Sequence, residues 1–327
     1  MMPTAEMLWE TSEADDALSS RFRFSGASAA ADWLVAALRA THGVEVTNVD
    51  RLVISAGNMI AFLASDVGEL VVKCSAIEAL HPHLAAVGRL LVWLDDHDLP
   101  VSAPLLATSG EPQVLHEHLS IGVQRLHAGV LLDADDTVQA RAAGEVLARL
   151  HQSMAAYDGA AAFPPARPGA LGQPARTPRA LVETWTERPA QDPRLEPVTR
   201  RLAAVVAALP DDEPRAQLVH DDIRSANLLW AGDAVSAILD FEETHRGHAM
   251  GEVAHSSVFL ATRYHAWGPP TPQARSAFLA GYLDVAQPSD AERAWLEALM
   301  LAAALEAAAG SQGEESWTAN AVSLLRP

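Results

Sequence analysis

Residues 218–229 read Leu218-Val219-His220-Asp221-Asp222-Ile223-Arg224-Ser225-Ala226-Asn227-Leu228-Leu229, and residues 237–242 read Ala237-Ile238-Leu239-Asp240-Phe241-Glu242. In both stretches a short apolar run, typical of a β-strand, leads into or out of a group of acids. The pattern predicts carboxylates at strand ends, in a place where a metal ion could bind. Asp222, Asn227, Asp240 and Glu242 all offer oxygen, which suits Mg²⁺, and the chain has no Cys/His set with zinc spacing.

Lys73 is the only lysine of the chain, although Lys and Arg together number 23. It lies in the apolar run Gly68–Cys74, which predicts a strand. A lysine ammonium is a compact point charge, suited to binding a phosphate oxygen. A lone surface lysine that protects a strand edge is the alternative interpretation, so the rest of the chain has to decide.

Composition limits the classes of function. The 327 residues allow two domains or lobes, and 49% of them are hydrophobic. A net charge of −19 argues against binding a nucleic-acid backbone; it is compatible with a cationic substrate or simply with solubility. No apolar run is long enough to span a bilayer. Residues 1–16 carry acids and no basic residue, so no secretory signal is expected, and the single cysteine, Cys74, suits the cytoplasm.

The first part of the chain alternates between helical and strand-like patterns. Helices are predicted over residues 28–41, around an apolar stripe of Leu84, Val87, Leu91 and Leu94, and over Thr137–Met154, with Val138, Ala142, Val146 and Leu150 on one face. Strands are predicted at Arg51–Ser55, Met59–Ala64, Leu70–Cys74, Pro104–Ala107, Gln113–Glu117 and Ile121–Leu126.

The segment Asp158–Thr177 is rich in Ala, Pro and Gly and predicts a linker or a long surface loop. The chain beyond it is expected to be mostly helical, with short strands at Ala216–Val219, Leu228–Trp230 and Ser236–Leu239. A strand-rich part followed by a helix-rich part predicts an α+β protein with two lobes.

The spacing His220-x-Asp222-x4-Asn227, followed by Asp240-Phe241-Glu242, resembles the catalytic loop and metal motif of the aminoglycoside phosphotransferase and choline kinase-like family. That family is similar to protein kinases, whose catalytic loop has the same spacing. Weaker matches, in the expected order, are the Ser55–Asn58 turn, Leu147–His151 and Gly251–Ala254. Together with Lys73, the resemblance covers roughly residues 50–260.

The resemblance implies a two-lobed, protein-kinase-like fold, with a small strand-rich N-lobe at residues 1–126 and a larger helical C-lobe at residues 127–327. In the N-lobe it implies nucleotide binding. Lys73 would bind the ATP phosphates, the turn with Ser55, Gly57 and Asn58 would cover them, and the hinge around Gln124 and Leu126 would meet adenine.

In the C-lobe the resemblance implies catalysis. Asp222 would orient or accept the proton of the attacking hydroxyl, and Asn227 and Asp240 would bind Mg²⁺. His220 would orient the loop by hydrogen bonding, with Glu252 as a candidate partner. Arg224 would neutralise the transferring phosphoryl group, and a surface ion pair with Asp221 is its alternative role.

Two positions depart from the family pattern. The residue between the motif His and Asp is usually glycine, and here it is Asp221, which adds negative charge beside the base. The first-lobe helix usually carries a glutamate that pairs with the lysine, and the matching position here is Val87. Glu78 is the nearest upstream acid that could replace it.

These features predict a kinase that uses ATP (or GTP) and Mg²⁺ to phosphorylate a hydroxyl of a small molecule, with an antibiotic as the leading acceptor class. A kinase of a metabolic alcohol or sugar is the alternative, and a nucleotide-binding regulator without catalysis is another, supported by Val87. A protein kinase ranks low, because Glu242 stands where glycine is expected. Acids after the metal motif favour a cationic acceptor, although a neutral one stays open. The candidate acceptor residues are Glu243, His245, Tyr264 and Trp267, each of which could instead be packing or surface.

Overall fold

The computed structural model describes residues 3–167, 177–188, 192–311 and 314–325. The chain forms two compact units, Met1–Ala128 and Gly129–Pro327. The predicted division into functional lobes after Leu126 stays a prediction. Among the described residues, no helix has both the length and the apolar character that crossing a membrane requires.

Unit 1 is built on one six-stranded sheet with the order β1-β2-β3-β4-β6-β5. Its strands are β1 (Thr4–Met7), β2 (Val46–Ile54), β3 (Asn58–Ser65), β4 (Gly68–Ser75), β5 (Gln113–His116) and β6 (Leu119–Arg125). Only β1, at the edge, pairs in parallel, whereas the other strands are antiparallel. The predicted strand Pro104–Ala107 is wrong, since only Pro104 forms a single bridge to Gln124. A proline cannot donate to a strand ladder.

Three helices complete unit 1: α1 (Ala14–Phe22), α2 (Ala27–His42) and α3 (His81–Asp95). Buried side chains of α1 and α2, such as Phe22 and Leu34, share one core with the sheet residues Leu52 and Met59. The stripe predicted for α3 is confirmed, because all four of its members are buried. The sequence analysis missed α1 and β1.

The described residues of unit 2 include two small sheets. A three-stranded sheet has the order β10-β9-β7, and a two-stranded sheet pairs β11 with β8. The strands are β7 (Val130–Leu131), β8 (Ala216–Val219), β9 (Leu228–Ala231), β10 (Ala234–Ile238) and β11 (His245–His248). The sequence predicts β8, β9 and β10, but it misses β11, whose residues His-Arg-Gly-His carry no strand pattern.

Helices make up most of unit 2, as predicted. They are α4 (Thr137–Ala156), α5 (Pro178–Glu187), α6 (Glu196–Val206), α7 (Ala249–Phe259), α8 (Pro272–Ala286), α9 (Asp290–Gly310) and α10 (Glu315–Ser323). Glycines let α4 and α8 approach closely: a Cβ on Gly144 would lie 1.9 Å from the Phe278 carbonyl oxygen, and one on Gly281 would lie 2.1 Å from the Arg141 carbonyl oxygen.

The face predicted for α4 is only half right. Val146 and Leu150 are buried, but Val138 is 66% exposed. Positions spaced four residues apart rotate by about 40° per step around a helix of 3.6 residues per turn, so the predicted stripe leaves the buried face toward the N-terminal end.

Of the two alternatives predicted for residues 158–167, a surface loop agrees with the structure and a free linker does not. Residues Asp158–Ala162 form a 3₁₀ turn, and Phe163 is buried. Arg246 fixes the segment, because its backbone N–H donates to the Pro164 carbonyl at 2.8 Å and its Nε donates to the Phe163 carbonyl at 3.1 Å. Residues 168–176 of the predicted linker lie outside the described residues.

Candidate active site

The loop 220–227 connects the two sheets of unit 2, since it leaves β8 and enters β9. Its apolar residues Ile223 and Ala226 are buried, and a 3₁₀ turn over Ser225–Asn227 leads into β9. The backbone N–H of Ser225 donates to the Leu260 carbonyl at 2.7 Å. The loop is therefore attached at both ends and in the middle.

Asp222 lies among the other predicted catalytic residues. Asn227 donates from Nδ2 to Asp222 Oδ2 at 2.7 Å and to the Asp222 carbonyl at 2.8 Å. Arg224 Nε lies 3.0 Å from Asp222 Oδ1, in an ion pair whose N–H does not point at the oxygen. Arg224 therefore pairs with Asp222, and the alternative of an ion pair with Asp221 is wrong.

His220 is buried and connects the two motifs. The backbone N–H of Asp222 donates to His220 Nδ1 at 3.2 Å, which assigns the ring proton to Nε2, and Nε2 donates to the Leu239 carbonyl at 2.9 Å. The Leu239 N–H in turn donates to the Asn227 carbonyl at 2.8 Å. The backbone thus joins the loop 220–227 to Leu239, the residue before Asp240. Asp240 itself adopts a left-handed backbone conformation, with φ +63°.

His220 is hydrogen-bonded to Glu252, its candidate partner, but through the backbone N–H and not through the ring. The Glu252 carboxylate accepts the backbone N–H groups of His220, at 2.9 Å, and Asp221, at 2.8 Å. His151 Nε2 lies 2.8 Å from the same carboxylate, and the other His151 nitrogen lies 2.9 Å from the Tyr282 hydroxyl. A buried chain of hydrogen bonds therefore runs from α8 through α4 and α7 to the loop 220–227.

These buried hydrogen bonds stabilise the negative charge of Glu252. Burial alone would raise the pKa of Glu252, but the hydrogen bond from His151, the nearby imidazoles and the Asp221 N–H together lower it below its usual value. Burial also raises the pKa of the Tyr282 hydroxyl, which therefore stays protonated and can donate to His151. The sequence analysis did not predict that His151 and Tyr282 take part in these hydrogen bonds.

Asp221 adopts a left-handed backbone conformation, with φ +63°. Glycine reaches that region without strain, which explains the usual glycine of the motif. Arg167 offsets the extra charge: its Nε lies 2.7 Å from Asp221 Oδ2, another of its nitrogens contacts the Asp221 carbonyl, and Glu243 lies 3.7 Å away. Burial lowers the pKa of Arg167, but these acids raise it further, so the guanidinium stays charged.

Arg167 was missed because it lies in a segment without periodicity or motif. His245 lies beside the same pair, with Nδ1 3.9 Å from Asp221 Oδ2 and 3.0 Å from the Glu243 carbonyl oxygen. Two of the four candidate acceptor residues, Glu243 and His245, therefore lie at the start of the catalytic loop.

The other two candidate acceptor residues surround Arg224. Its guanidinium lies 5.5 Å from the centre of the Tyr264 ring and 5.7 Å from that of Trp267, within cation–π range. Trp267 is 59% exposed. Phe259, which the sequence analysis did not single out, lies 6.2 Å from Trp267 and 4.5 Å from the His255 ring. Tyr264 and Trp267 thus flank Arg224, and Phe259 lies next to Trp267.

In unit 1, Lys73 lies on β4 opposite Ile60 of β3 and Gly122 of β6. Its neighbours Val72 and Cys74 are fully buried, and Lys73 is half-buried. Burial raises the pKa of the Cys74 thiol to about 12, so Cys74 is no nucleophile at neutral pH.

The predicted nucleotide-binding turn connects β2 and β3. Ser55 N–H donates to the Asn58 carbonyl at 2.8 Å, and Asn58 N–H donates to Ser55 Oγ at 3.3 Å. In the predicted hinge, the Gln124 side chain donates to the Ser102 carbonyl at 2.7 Å and Leu126 N–H donates to the Glu69 carbonyl at 3.0 Å. The Leu126 N–H is therefore already used within the sheet.

The position that usually carries a glutamate is apolar in the structure as well. Val87 is buried on α3. Glu78, the proposed substitute, is exposed in the turn Glu78–Leu80 and forms no ion pair among the described residues.

Comparison with known proteins identifies the family. A family model for the phosphotransferase enzyme family (APH) matches residues 55–299, which is well over half of the chain. The chain belongs to this phosphotransferase family. The suspected resemblance is thereby confirmed. No curated protein is similar enough in sequence to match.

Solved structures of similar fold include several antibiotic phosphotransferases. Spectinomycin phosphotransferase APH(9)-Ia, bound to ADP and spectinomycin, is 11% identical, with a TM-score of 0.58 over 90% of this chain and 94% of that one. Macrolide 2′-phosphotransferase MphH from Brachybacterium faecium is 21% identical, with a TM-score of 0.55 over 90% and 97%. Amicoumacin kinase hAmiN, bound to AMP-PNP, Ca²⁺ and its antibiotic, is 15% identical, with a TM-score of 0.58 over 90% and 93%. The likeness confirms the predicted α+β, protein-kinase-like fold class.

The donor set of this phosphotransferase suits a hard cation. Both hydrogen bonds from the Asn227 amide nitrogen go to Asp222, so the amide oxygen remains as a candidate ligand beside the carboxylate oxygens. No group of three His, Cys, Asp or Glu side chains within the described residues forms a metal site by itself. Mg²⁺ needs no such group, since it usually keeps several waters and binds one or two protein ligands together with substrate phosphates.

Proposed function

We propose that the protein transfers the γ-phosphate of ATP, or of GTP, to a hydroxyl group of a small molecule, and that this molecule is an antibiotic. The supporting observation is the assembly of Asp222, Asn227 and Arg224 on one loop in a chain of the phosphotransferase family. The antibiotics named for the solved structures of similar fold support the acceptor class.

Asp222 is the proposed base. Asn227 donates a hydrogen bond to one oxygen of its carboxylate and orients it, as a group that positions a hydroxyl must be oriented, while Arg224 forms an ion pair with the other oxygen. Arg224 is the proposed cation for the transferring phosphoryl group, which carries negative charge throughout the reaction. Its ion pair with Asp222 keeps it beside the reacting oxygen.

Asn227 and Asp240 are the proposed ligands of Mg²⁺. When bound, Mg²⁺ neutralises phosphate charge and orients the γ-phosphate. Lys73 is proposed to bind the ATP phosphates, and the Ser55–Asn58 turn is proposed to cover them. The hinge that contains Gln124 is the proposed adenine site.

The structure changes the charge that we propose for the acceptor. Three of the acids that favoured a cationic acceptor have other partners: Glu252 belongs to the buried chain, Glu292 caps α9 with Ser289, and Glu297 pairs with Arg201 at 2.5 Å. Glu243 faces Arg167. A neutral acceptor that rests a flat or apolar face on Tyr264 and Trp267 is therefore the favoured form of the proposal.

The decisive experiment is an ATP-consumption screen of the purified protein with a panel of antibiotics and, in parallel, choline, homoserine and sugars. We expect turnover with one antibiotic class, lost in Asp222→Asn while Mg-ATP binding persists. Turnover of an alcohol or sugar alone would favour the metabolic kinase. Nucleotide binding without any transfer would favour the regulator.

Two variants test the roles separately. Asp240→Asn should weaken Mg²⁺-dependent ATP binding in calorimetry, and unchanged affinity would refute the metal assignment. Because Lys73 is the only lysine, an amine-selective acylating reagent should inactivate the enzyme through that residue, with Mg-ATP protecting it. Full activity after acylation of Lys73 would refute its role.

A further inference from the structure

The side chain of Arg21, on α1, reaches the turn proposed to cover the ATP phosphates. Its Nη1 donates to the Ser55 carbonyl at 2.9 Å and to Glu10 Oε1 at 2.9 Å, and its Nη2 contacts Glu10 Oε2. The guanidinium is thus held by a two-pronged carboxylate contact while it binds the first residue of the turn.

The support behind Arg21 is rigid. Leu18 and Phe22 of the same helix are fully buried in the core of unit 1. The segment that carries Glu10 follows β1, and the backbone N–H of Leu8 donates to the Ile54 carbonyl at 2.8 Å, directly before the turn. Both partners therefore start from anchored backbone.

Three carbonyl groups of the turn accept hydrogen bonds from within unit 1. The Ser55 carbonyl accepts from Arg21, the Gly57 carbonyl accepts from Ala76 N–H at 3.0 Å, and the Asn58 carbonyl accepts from Ser55 N–H at 2.8 Å. By contrast, the N–H of Ala56, an exposed residue, donates to no acceptor within the described residues, whereas the neighbouring Gly57 is buried.

Peptide planarity connects these two facts. In a trans peptide, the C=O of Ser55 and the N–H of Ala56 point in opposite directions. By holding that carbonyl, Arg21 turns the Ala56 N–H away from itself. A backbone N–H that is exposed and has no acceptor of its own can donate to an anion such as a phosphate oxygen.

We propose that Arg21, held by Glu10, is a positioning residue that presents the Ala56 N–H group to the phosphates of the nucleotide. The inference rests on the proposed use of ATP. It adds a contribution from the segment before Ser55, where the family match begins.

The test measures Mg-ATP and adenosine affinities of Arg21→Met by calorimetry, together with the KM for ATP and kcat. Methionine keeps the apolar stem but removes every donor. We expect Mg-ATP to bind about 10-fold more weakly, the equivalent of about 1.4 kcal/mol, with adenosine affinity and kcat nearly unchanged. A merely structural role would not separate ATP from adenosine. Glu10→Gln should give a smaller change in the same direction, and it serves as the second variant if Arg21→Met does not fold.

Arg39→Met is the matched control. Arg39 also pairs with a carboxylate in unit 1, that of Glu45, but it does not bind the Ser55–Asn58 turn. It should leave both affinities unchanged. The inference is overturned if Arg21→Met, or Glu10→Gln in its place, binds Mg-ATP like the wild type, or if ATP and adenosine weaken equally. A wild-type protein that binds no Mg-ATP would overturn the proposed function as well, which distinguishes the two failures.

Discussion

Replacing Glu252 by glutamine should uncouple the catalytic loop from its support. Glu252 is fully buried and accepts three hydrogen bonds, from His151 Nε2 at 2.8 Å and from the backbone N–H groups of His220 at 2.9 Å and Asp221 at 2.8 Å. Glutamine has nearly the same shape, but it has one acceptor oxygen and carries no charge.

The magnitude follows from those three contacts. A hydrogen bond to a charged group contributes about 1.5–3 kcal/mol and a neutral one about 0.5–1.5 kcal/mol, so neutralising the acceptor costs roughly 1 kcal/mol per bond. The glutamine NH₂ also faces one N–H donor, which leaves that donor unsatisfied at a cost of about 1–3 kcal/mol. The smaller desolvation cost of a neutral group offsets part of this loss. We expect a net loss of about 3 kcal/mol in the free energy of unfolding.

Calorimetry and kinetics check this expectation. The melting temperature should fall by roughly 4–7 °C. At a temperature well below melting, kcat should fall by about 10²-fold, because a misplacement of about 1 Å at the reacting group has an effect of that size. Tyr282→Phe removes only the outer hydrogen bond, to His151, and should cost about 1 kcal/mol with a smaller fall in kcat. Glu297→Gln, an exposed acid on α9, is the control and should change neither quantity by much.

Acid titration gives a second reading of the same group. The pKa of folded Glu252 lies below the ordinary value of 4.5, so its charge stabilises the fold above that pH and this contribution is lost as the pH falls through the folded pKa. The stability difference between wild type and Glu252→Gln should therefore shrink below about pH 4.5. A wild-type kcat in Glu252→Gln, or a stability loss under about 0.5 kcal/mol, would refute the assigned support role.

Three further predictions concern other parts of unit 2. In a double-mutant cycle, Arg167→Gln should destabilise the wild type by about 0.5–2 kcal/mol more than it destabilises the Asp221→Gly variant, which has already lost the ion pair. A coupling free energy near zero, measured by chemical denaturation, would contradict the pairing. Trp267→Ala should leave stability nearly unchanged because the ring is exposed, while the KM for the acceptor rises and that for ATP does not; an unaltered acceptor KM in steady-state assays would remove Trp267 from the acceptor site. Gly144→Ala should destabilise the protein by about 3 kcal/mol, since its methyl group would lie 1.9 Å from the Phe278 carbonyl oxygen; a wild-type melting temperature would contradict that packing.

Local patterns were sufficient for much of the fold. The strands β3, β4 and β6 and the helices α2 and α3 could be predicted because their apolar periodicity matches the burial that the structure shows. The family motif in the loop 220–227 was recognisable because its residue types and spacing are set within one short segment. The family match agrees with that recognition, whereas the individual roles of the site residues stay predictions.

Other features depend on partners that are distant in sequence. β11 has no strand pattern of its own and exists because His245 and its neighbours pair with β8. The Ala, Pro and Gly content predicted a linker or a long surface loop over Asp158–Thr177, but it gave no sign that Arg246 would fix the backbone at Phe163.

The sequence by itself determined the division into a strand-rich and a helix-rich part and the motif spacing of the loop 220–227, since both follow from short-range periodicity and spacing. Only the tertiary structure decided how buried and charged groups are satisfied. Glu252 accepts from a helix about a hundred residues away in the chain, Arg167 neutralises Asp221, and Arg21 binds the Ser55 carbonyl. The physical reason is that the cost of a buried charge or an unpaired carbonyl depends on which group lies opposite it, and only the folded chain brings the two together.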